Sequence, residues 1–455
     1  MEKSFFITDR KFYKVFFSMM AIVALQNLVA YSVNMADNIM LGRFSQEALS
    51  GAATVNQIFF IIQQFALSFG NALVSISSQY WGEKRVGPIR TLTGITLKLG
   101  CAVGVVLVAI CIIIPVPLLK LFTTSETIIN EGCKYLSIIV WTFLIYIISQ
   151  ILMSALRAVG TVKISFYISI VSLIVNVGIN YVLIFGKLGF RPMGITGAAI
   201  GTLIARILEL IIVVIYIAFF DKKLELFKGG MLTPNKLLWK DFIKIYIPIM
   251  CASVLWGFSV PMQTAILGHL SADAIAANSV ATTFYQYLKV IVMAMSSTSA
   301  VVIGNTIGEG DAEKVKAAGR TLSVLDVAVG VFLAILLIIL KNPLLSLYKL
   351  NETTLVLADH LIMIFALIMV GMSYQMPVSF GIIQGGGDAK FTMKMNLIST
   401  WLIVMPLSFM AAFWWKLPVE WVVVVVQSDQ IFKCLPTFLH FRKYTWFKKL
   451  TRENV

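Results

Sequence analysis

Apolar segments long enough to cross a lipid bilayer recur twelve times along this chain, and that recurrence leaves few folds open. A crossing helix needs about 20 apolar residues. Gly, Pro and charged punctuation delimits runs near 12–41, 48–77, 91–114, 134–156, 163–186 and 194–220, then near 245–267, 274–303, 320–340, 356–383, 391–415 and 419–441. Composition agrees. Of 455 residues, 59% are hydrophobic and 13% charged, with a mean hydropathy of +0.88, whereas soluble domains carry about 25% charged residues. No room remains for a large soluble domain, which excludes an ordinary cytosolic enzyme and predicts an all-α integral membrane protein with twelve transmembrane helices.

The net charge of +15 would suggest nucleic acid in a soluble protein, but its placement argues otherwise. Clusters such as Lys84, Arg85, Arg90 and Lys222, Lys223, Lys228 sit between apolar segments, where basic residues set topology. With the N-terminus inside, 25 of the 37 Lys and Arg fall on inner connectors and 8 on outer ones. Both termini are therefore expected in the cytoplasm of a multi-pass cell-membrane protein, and no nucleic-acid partner is expected. The first apolar run is too long for a signal-peptide core and reads as the first span. Cys101, Cys111, Cys133, Cys251 and Cys434 are odd in number, mostly within apolar runs and without CxxC spacing; they read as reduced, inert fillers.

The two halves resemble each other at an offset of 226 residues. MLGRFSQEAL at 40–49 matches ILGHLSADAI at 266–275, and Gly82-Glu83 matches Gly308-Glu309; ALRAVGTVK from 155 also matches IIQGGGDAK from 382. Six spans per unit return the chain to the side on which it began, so the repeat is parallel, about an axis along the membrane normal. Two pseudo-symmetric six-helix lobes around a central cavity are predicted: residues 1–220, a cytoplasmic linker at 221–244, and 245–455. Such repeats are typical of alternating-access carriers.

Acids at membrane depth are costly and need a reason. Glu209 follows Arg206 by three residues and Lys433 follows Asp429 by four, spacings that predict structural ion pairs on one helix face. Asp326 is expected about a turn and a half inside the cytoplasmic end of its span, within reach of interfacial water. Asp37 differs: its i±3 and i±4 neighbours are Val33, Asn34, Met40 and Leu41, so its own helix offers no basic partner. Asn27, Asn34 and Asn38 stripe the first span, Gln57, Gln64 and Asn71 the second, and Ser169, Ser172, Asn176 and Asn180 one face of the fifth. By helix rise, Asp37, Asn180, Thr202 and Asn176 lie about 7 to 15 Å below the outer ends of their spans and can share one slab. A carboxylate among amide and hydroxyl oxygens is the ligand set of a small hard cation such as Na+, by extension from other hard ions; the same pocket could instead hold a proton on Asp37.

MADNIMLGRFSQEAL, QYWGEK, LRAVGTVK, VNVGINYVLIFGKLGFRPMGITGAAIGT, SDQIFK and WFKKLT, in this order and spacing, resemble the MATE family of multidrug and toxic-compound extrusion transporters, over essentially the whole chain. The resemblance implies two six-helix lobes around a central cavity and secondary active antiport: export of organic cations and drugs in exchange for Na+ or H+, with no other cofactor. It also implies an ion or proton site in the first lobe at Asp37, Asn176, the position of Asn180, and Thr202. Two departures stand out. Asn180 occupies a position where several members carry an acid, and Ser253 one where others place a glutamate. The interior of the tenth span also lacks an acid, so an acid-rich ion site in the second lobe is not expected.

No GxxxxGK[ST] phosphate loop is present, which argues against ATP drive. His269, His360 and His440 are too scattered for a catalytic cluster, so no enzyme is expected. A lipid-linked oligosaccharide flippase of related fold is the alternative; it would use cavity cations, with Lys98 and Lys289 as the candidates. For drug binding, Asn34 and Gln64 on the amide stripes and Trp256, Phe258, Tyr285, Tyr287, Tyr374 and Met376 on spans 7, 8 and 10 are the candidate cavity residues, because aromatic faces attract organic cations. The expected partners are small organic cations and membrane lipid, around a chain acting as a monomer.

Overall fold

A computed structural model describes residues 5–268, 270, 272–346, 348 and 351–453. His269 and Ser271, within the repeated segment at 266–275, lie outside the described residues. Among the described residues, twelve helices are long and apolar enough to cross a membrane: α1 Arg10–Phe44, α2 Gln46–Gly82, α3 Val86–Ile113, α4 Glu126–Ala158, α5 Lys163–Phe185, α6 Ile195–Phe220, α7 Lys236–Leu267, α8 Ala276–Gly308, α9 Ala312–Leu345, α10 Glu352–Ile383, α11 Ala389–Trp414 and α12 Val419–Arg442. The described residues contain no β-strand. Most helices extend beyond the apolar runs by polar turns at one or both ends, because helical hydrogen bonding continues into the interface while hydropathy does not. α7 shows this best: it starts at Lys236, inside the segment expected to be linker.

Local chemistry sets the breaks. The Ser45 hydroxyl accepts the Ala48 amide at 3.0 Å, restarting the helix one residue after α1 ends. Gly186, at φ 66°, ends α5 in the left-handed region, and a Cβ there would collide with Pro192. Asp311 caps α9 by accepting from the amides of Glu313 and Lys314, and Asn351 caps α10 through the Thr354 amide at 2.7 Å. Widened π-helical turns interrupt α10 at Pro377–Ile383 and α11 at Leu397–Val404 and Met410–Trp414; such turns alter which side chains a helix face presents.

The chain divides into two compact units: one of Met1–Ala24, Ser78–Glu83 and Ile247–Asn454, the other of Leu25–Ser77 and Lys84–Tyr246. The division is therefore not at a single point in the sequence, since the first turns of α1 and the last of α2 pack with the second half. In the unit from Leu25, the core joins Leu41, Val55, Ile62, Leu136, Phe143 and Ile184. There α6 approaches α5 through Gly197 and Gly201, a small-residue spacing that permits close helix contact. A Cβ on Gly197 would lie 2.8 Å from the Leu183 carbonyl carbon.

In the other unit one core gathers Phe365, Met369, Met372, Val422 and Val426, and a second gathers Phe16, Ile303, Leu322, Ile382, Phe441 and Trp446. Repeat equivalents meet here: a Cβ built on Gly82 would lie 2.9 Å from the Gly308 Cα, and one built on Gly308 2.9 Å from the Gly82 Cα. The C-terminal WFKKLT segment is tied in by backbone and side-chain bonds. The Lys448 amide donates to the Gly386 carbonyl at 2.8 Å, and Gln79 both donates to the Lys448 carbonyl (3.1 Å) and accepts from the Leu450 amide (2.8 Å).

Candidate functional site

In the unit from Leu25, four of the residues singled out in the sequence form one hydrogen-bonded chain. The Asn180 amide nitrogen donates to Asp37 Oδ1 at 2.6 Å and to Asn176 Oδ1 at 3.3 Å. The Asn176 amide nitrogen in turn donates to Thr202 Oγ1 at 3.2 Å. Asp37 comes from α1, Asn176 and Asn180 from adjacent turns of α5, and Thr202 from α6. Asp37, Asn176 and Asn180 are buried. The close approach at Gly201 positions this hydrogen-bonded run, because the Asn180 side-chain oxygen Oδ1 occupies the space that a Cβ at Gly201 would need. That oxygen is buried and has no hydrogen-bond partner among the described residues.

Two further groups belong to this neighbourhood and were not singled out in the sequence. Tyr135, buried on α4, shares a hydrogen bond with Thr202. Arg206, one turn along α6 from Thr202, lies within electrostatic reach of Asp37. Its guanidinium is engaged elsewhere, donating to Glu209 Oε2 at 2.7 Å and lying 5.0 Å from the Tyr146 ring centroid. The expected Arg206–Glu209 pair is thus formed, and so is the second one: Lys433 reaches Asp429 at 2.9 Å, with Asn396 Oδ1 and Thr400 Oγ1 completing its shell at 2.9 and 3.0 Å. Tyr135 gave no sequence signal, since it sits at the edge of an apolar run. Arg206 was visible, but only as a partner of Glu209.

The candidate drug-cavity residues divide between the units. Asn34 is exposed and Gln64 buried in the unit from Leu25. The other six fall in the unit from Ile247. Phe258 and Tyr287 are exposed, while Trp256 lies beneath the Lys289 ammonium, 5.0 Å from its ring centroid. Tyr285 is 4% exposed; its ring stacks on Phe365 at 4.9 Å and its hydroxyl donates to Met372 Sδ at 3.0 Å, so it packs the core. Met376 also packs against that core, and Tyr374 packs against the core containing Phe441.

Neither cation that the flippase reading relies on stands free. Lys98 donates to the Leu232 carbonyl at 3.4 Å, and Lys289 covers Trp256. His360 pairs with Glu420 at 3.3 Å and His440 with Asp388 at 3.1 Å. Asp326 departs from expectation. It is 0% exposed and not within reach of water, because α9 packs that face against α10.

Comparison with known proteins extends these observations. The MatE family model matches residues 23–182 and 248–410, one block in each half. A probable multidrug resistance protein NorM of Thermotoga maritima is 25% identical over 435 residues, covering 94% of this chain and 92% of the relative. The probable multidrug resistance protein YoeA of Bacillus subtilis is 23% identical over 411 residues, covering 89% and 87%. Among solved structures, a mutant of the Vibrio cholerae MATE transporter VcmN superposes with a TM-score of 0.87 at 17% identity, covering 97% of this chain and 98% of that one. A MOP superfamily transporter from Pyrococcus furiosus superposes with a TM-score of 0.84 at 16% identity, covering 94% and 95%. These structures share the twelve-helix fold. With a family model matched in both halves and near full-length relatives, this chain is a multi-pass membrane protein that belongs to the MatE family of transporters.

Proposed function

We propose that this protein is a secondary active exporter that exchanges organic cations for Na+ or H+ by alternating access, with Asp37 binding the coupling cation. One observation carries the reading: the hydrogen-bonded chain from Thr202 ends on a buried carboxylate whose nearest cation, Arg206, is already paired with Glu209. Arg206 and Glu209 cancel, so the site keeps the charge of Asp37. A buried, uncompensated carboxylate is unfavourable, and a proton or a small hard cation removes that penalty. Asp37, Asn176 and Thr202 present oxygens for Na+, as does Asn180 once its side-chain amide turns. For H+, the Asp37 carboxyl alone suffices.

Neutralising Asp37 removes the charge that orients the Asn180 amide, and the hydrogen-bonded run across α1, α5 and α6 then rearranges. That local change is the two-state element through which ion binding weakens drug binding. By linkage the drug must weaken ion binding equally. The names of the Thermotoga and Bacillus relatives support a drug-like cargo, and the exposed aromatics Phe258 and Tyr287 supply surfaces for organic cations. The excess of basic residues on one set of connectors supports an orientation with both termini in the cytoplasm.

The test is efflux of a fluorescent organic cation from proteoliposomes under separately imposed Na+ and H+ gradients, for the parent and Asp37→Asn. Efflux under one gradient, abolished in the mutant, is expected and names the ion. Undiminished efflux in the mutant would remove Asp37 from the mechanism. No efflux by the parent under either gradient would defeat the exporter reading.

A further inference from the structure

The unit from Ile247 holds an acid that the proposed mechanism does not use. Asp326, on α9, is 0% exposed, and neither carboxylate oxygen has a hydrogen-bond partner among the described residues. Among the described residues its surroundings offer no compensating charge. On its own helix, Lys316 pairs with Glu313 at 2.8 Å, Lys341 with Asp359 at 2.8 Å, and Lys314 with Glu309; Arg320 donates to the Phe5 carbonyl at 3.0 Å. On α8, Lys289 lies over Trp256. On α10, His360 faces Glu420, and Tyr374 is the titratable side chain close enough to feel an Asp326 charge. The Tyr374 hydroxyl is itself buried without a hydrogen-bond partner. On α12, Lys433 is held by Asp429, and Cys434 donates to the carbonyls of Gly371 and Gln430 at 3.3 and 3.2 Å.

An ionised carboxylate with neither water, donors nor a cation does not persist in such a place, because burial without compensation opposes the charged form. A neutral carboxyl does. The packing beside it leaves no slack: one turn along α9, Gly330 abuts Ser373 of α10 so closely that a Cβ would overlap its side chain. Just past Tyr374, α10 widens into its π-helical turn at Pro377–Ile383.

We propose that Asp326 is a proton-binding site of the second half of the protein, occupied when α9 is closed on α10 and vacated only when the two helices part. The proton is taken from and returned to water, with no other group altered. Asp326 thus makes the α9–α10 seam sensitive to proton activity, independently of Asp37.

Two experiments on the full-length protein in detergent test this, and neither depends on transport, so failure of the exporter reading leaves them intact. Infrared spectroscopy at neutral pH, with isotopically labelled aspartate, is expected to show a protonated-carboxyl band that is lost in Asp326→Asn and kept in Asp37→Asn. A spectrum unchanged by Asp326→Asn would overturn the proposal. The second experiment follows thiol labelling of Cys434, resolved by mass spectrometry, as pH is raised. The parent should label faster than Asp326→Asn at alkaline pH and equally at acid pH, because the asparagine cannot ionise and force the seam open. Equal labelling of the two proteins throughout would show that the seam ignores the proton, and would overturn its role there.

Discussion

Asn180 donates its side-chain amide to Asp37 at 2.6 Å across 143 residues of sequence, joining a helix from the start of the chain to the fifth span. Replacing Asp37 with Asn keeps the shape and removes the charge. We expect Asp37→Asn to fold normally, with an unfolding midpoint close to the parent, and to lose gradient-driven efflux. Asp37→Ala, which removes the shorter of the two hydrogen bonds from the buried Asn180 amide and leaves one of its N–H groups without an acceptor, should also lose about 1–3 kcal/mol of stability. Chemical unfolding of both variants beside the efflux assay separates the two effects.

Gly201 is a glycine because Asn180 occupies its missing side chain. A methyl group there must push the Asn180 amide away from Asp37 or drive α6 off α5. Gly201→Ala should therefore cost about 1–3 kcal/mol, the range for overpacking, and lower efflux at saturating gradient. Gly178→Ala, on α5 with nothing within 4 Å of the added carbon, is the control and should leave both unchanged.

Arg206 chooses between two acids. In the parent it binds Glu209 at 2.7 Å. Glu209→Gln should release it toward Asp37, where a guanidinium takes the place of the coupling cation. Ion affinity and efflux should both fall, with a smaller loss of stability than for a fully buried pair, because Arg206 is only partly buried and exchanges one carboxylate for another. The double variant Arg206→Gln/Glu209→Gln should regain ion affinity, as measured by ion-dependent protection from unfolding. Failure of the double variant to recover any affinity would separate Arg206 from the site.

The C-terminal segment is predicted to be structural. Trp446 is fully buried and lies 5.7 Å, ring to ring, from Phe441. Trp446→Ala should cost about 3–5 kcal/mol and lower the thermal midpoint, with ion selectivity unchanged. Altered selectivity would show that this segment contributes to more than packing.

The connector after α6 offers a contrast between two acids. The buried Asp221 carboxylate accepts the amides of Lys223, Leu224 and Glu225 at 3.2, 3.1 and 3.1 Å, and Asp221→Ala should cost about 2 kcal/mol for the amides it abandons. Glu225 instead sits at the surface, where a hydrogen bond from Lys228 and the charges of Lys228 and Arg90 hold its carboxyl below the usual glutamate range. Being lowered in the folded protein, it contributes stability at neutral pH that fades as acid protonates it. Surface pairs of this kind contribute little, so Glu225→Ala should leave the unfolding midpoint almost unchanged at neutral pH.

Sequence alone determined the twelve helices, the two-block repeat, the local ion pairs and the choice of Asp37, Asn176, Asn180 and Thr202. The repeat shows itself as matching segments 226 residues apart, and the rest follows short-range rules: hydrocarbon thickness fixes span length, helical periodicity fixes faces, and an i+3 or i+4 cation reveals itself within one turn. Asp37 was legible because that rule failed for it.

Only the tertiary structure decided what those faces meet. It turned the side-chain nitrogen of Asn180 toward Asp37 and placed the Asn180 Oδ1 against Gly201. It set Arg206 near Asp37 while Glu209 held it, and buried Asp326 against a helix whose nearest titratable group, Tyr374, lies far along the chain. It also grouped the first turns of α1 and the last of α2 with residues of the second half. Such contacts depend on which side chains from distant segments fill the same space. No periodicity within one helix encodes that choice, because packing is settled jointly by both partners and the room between them.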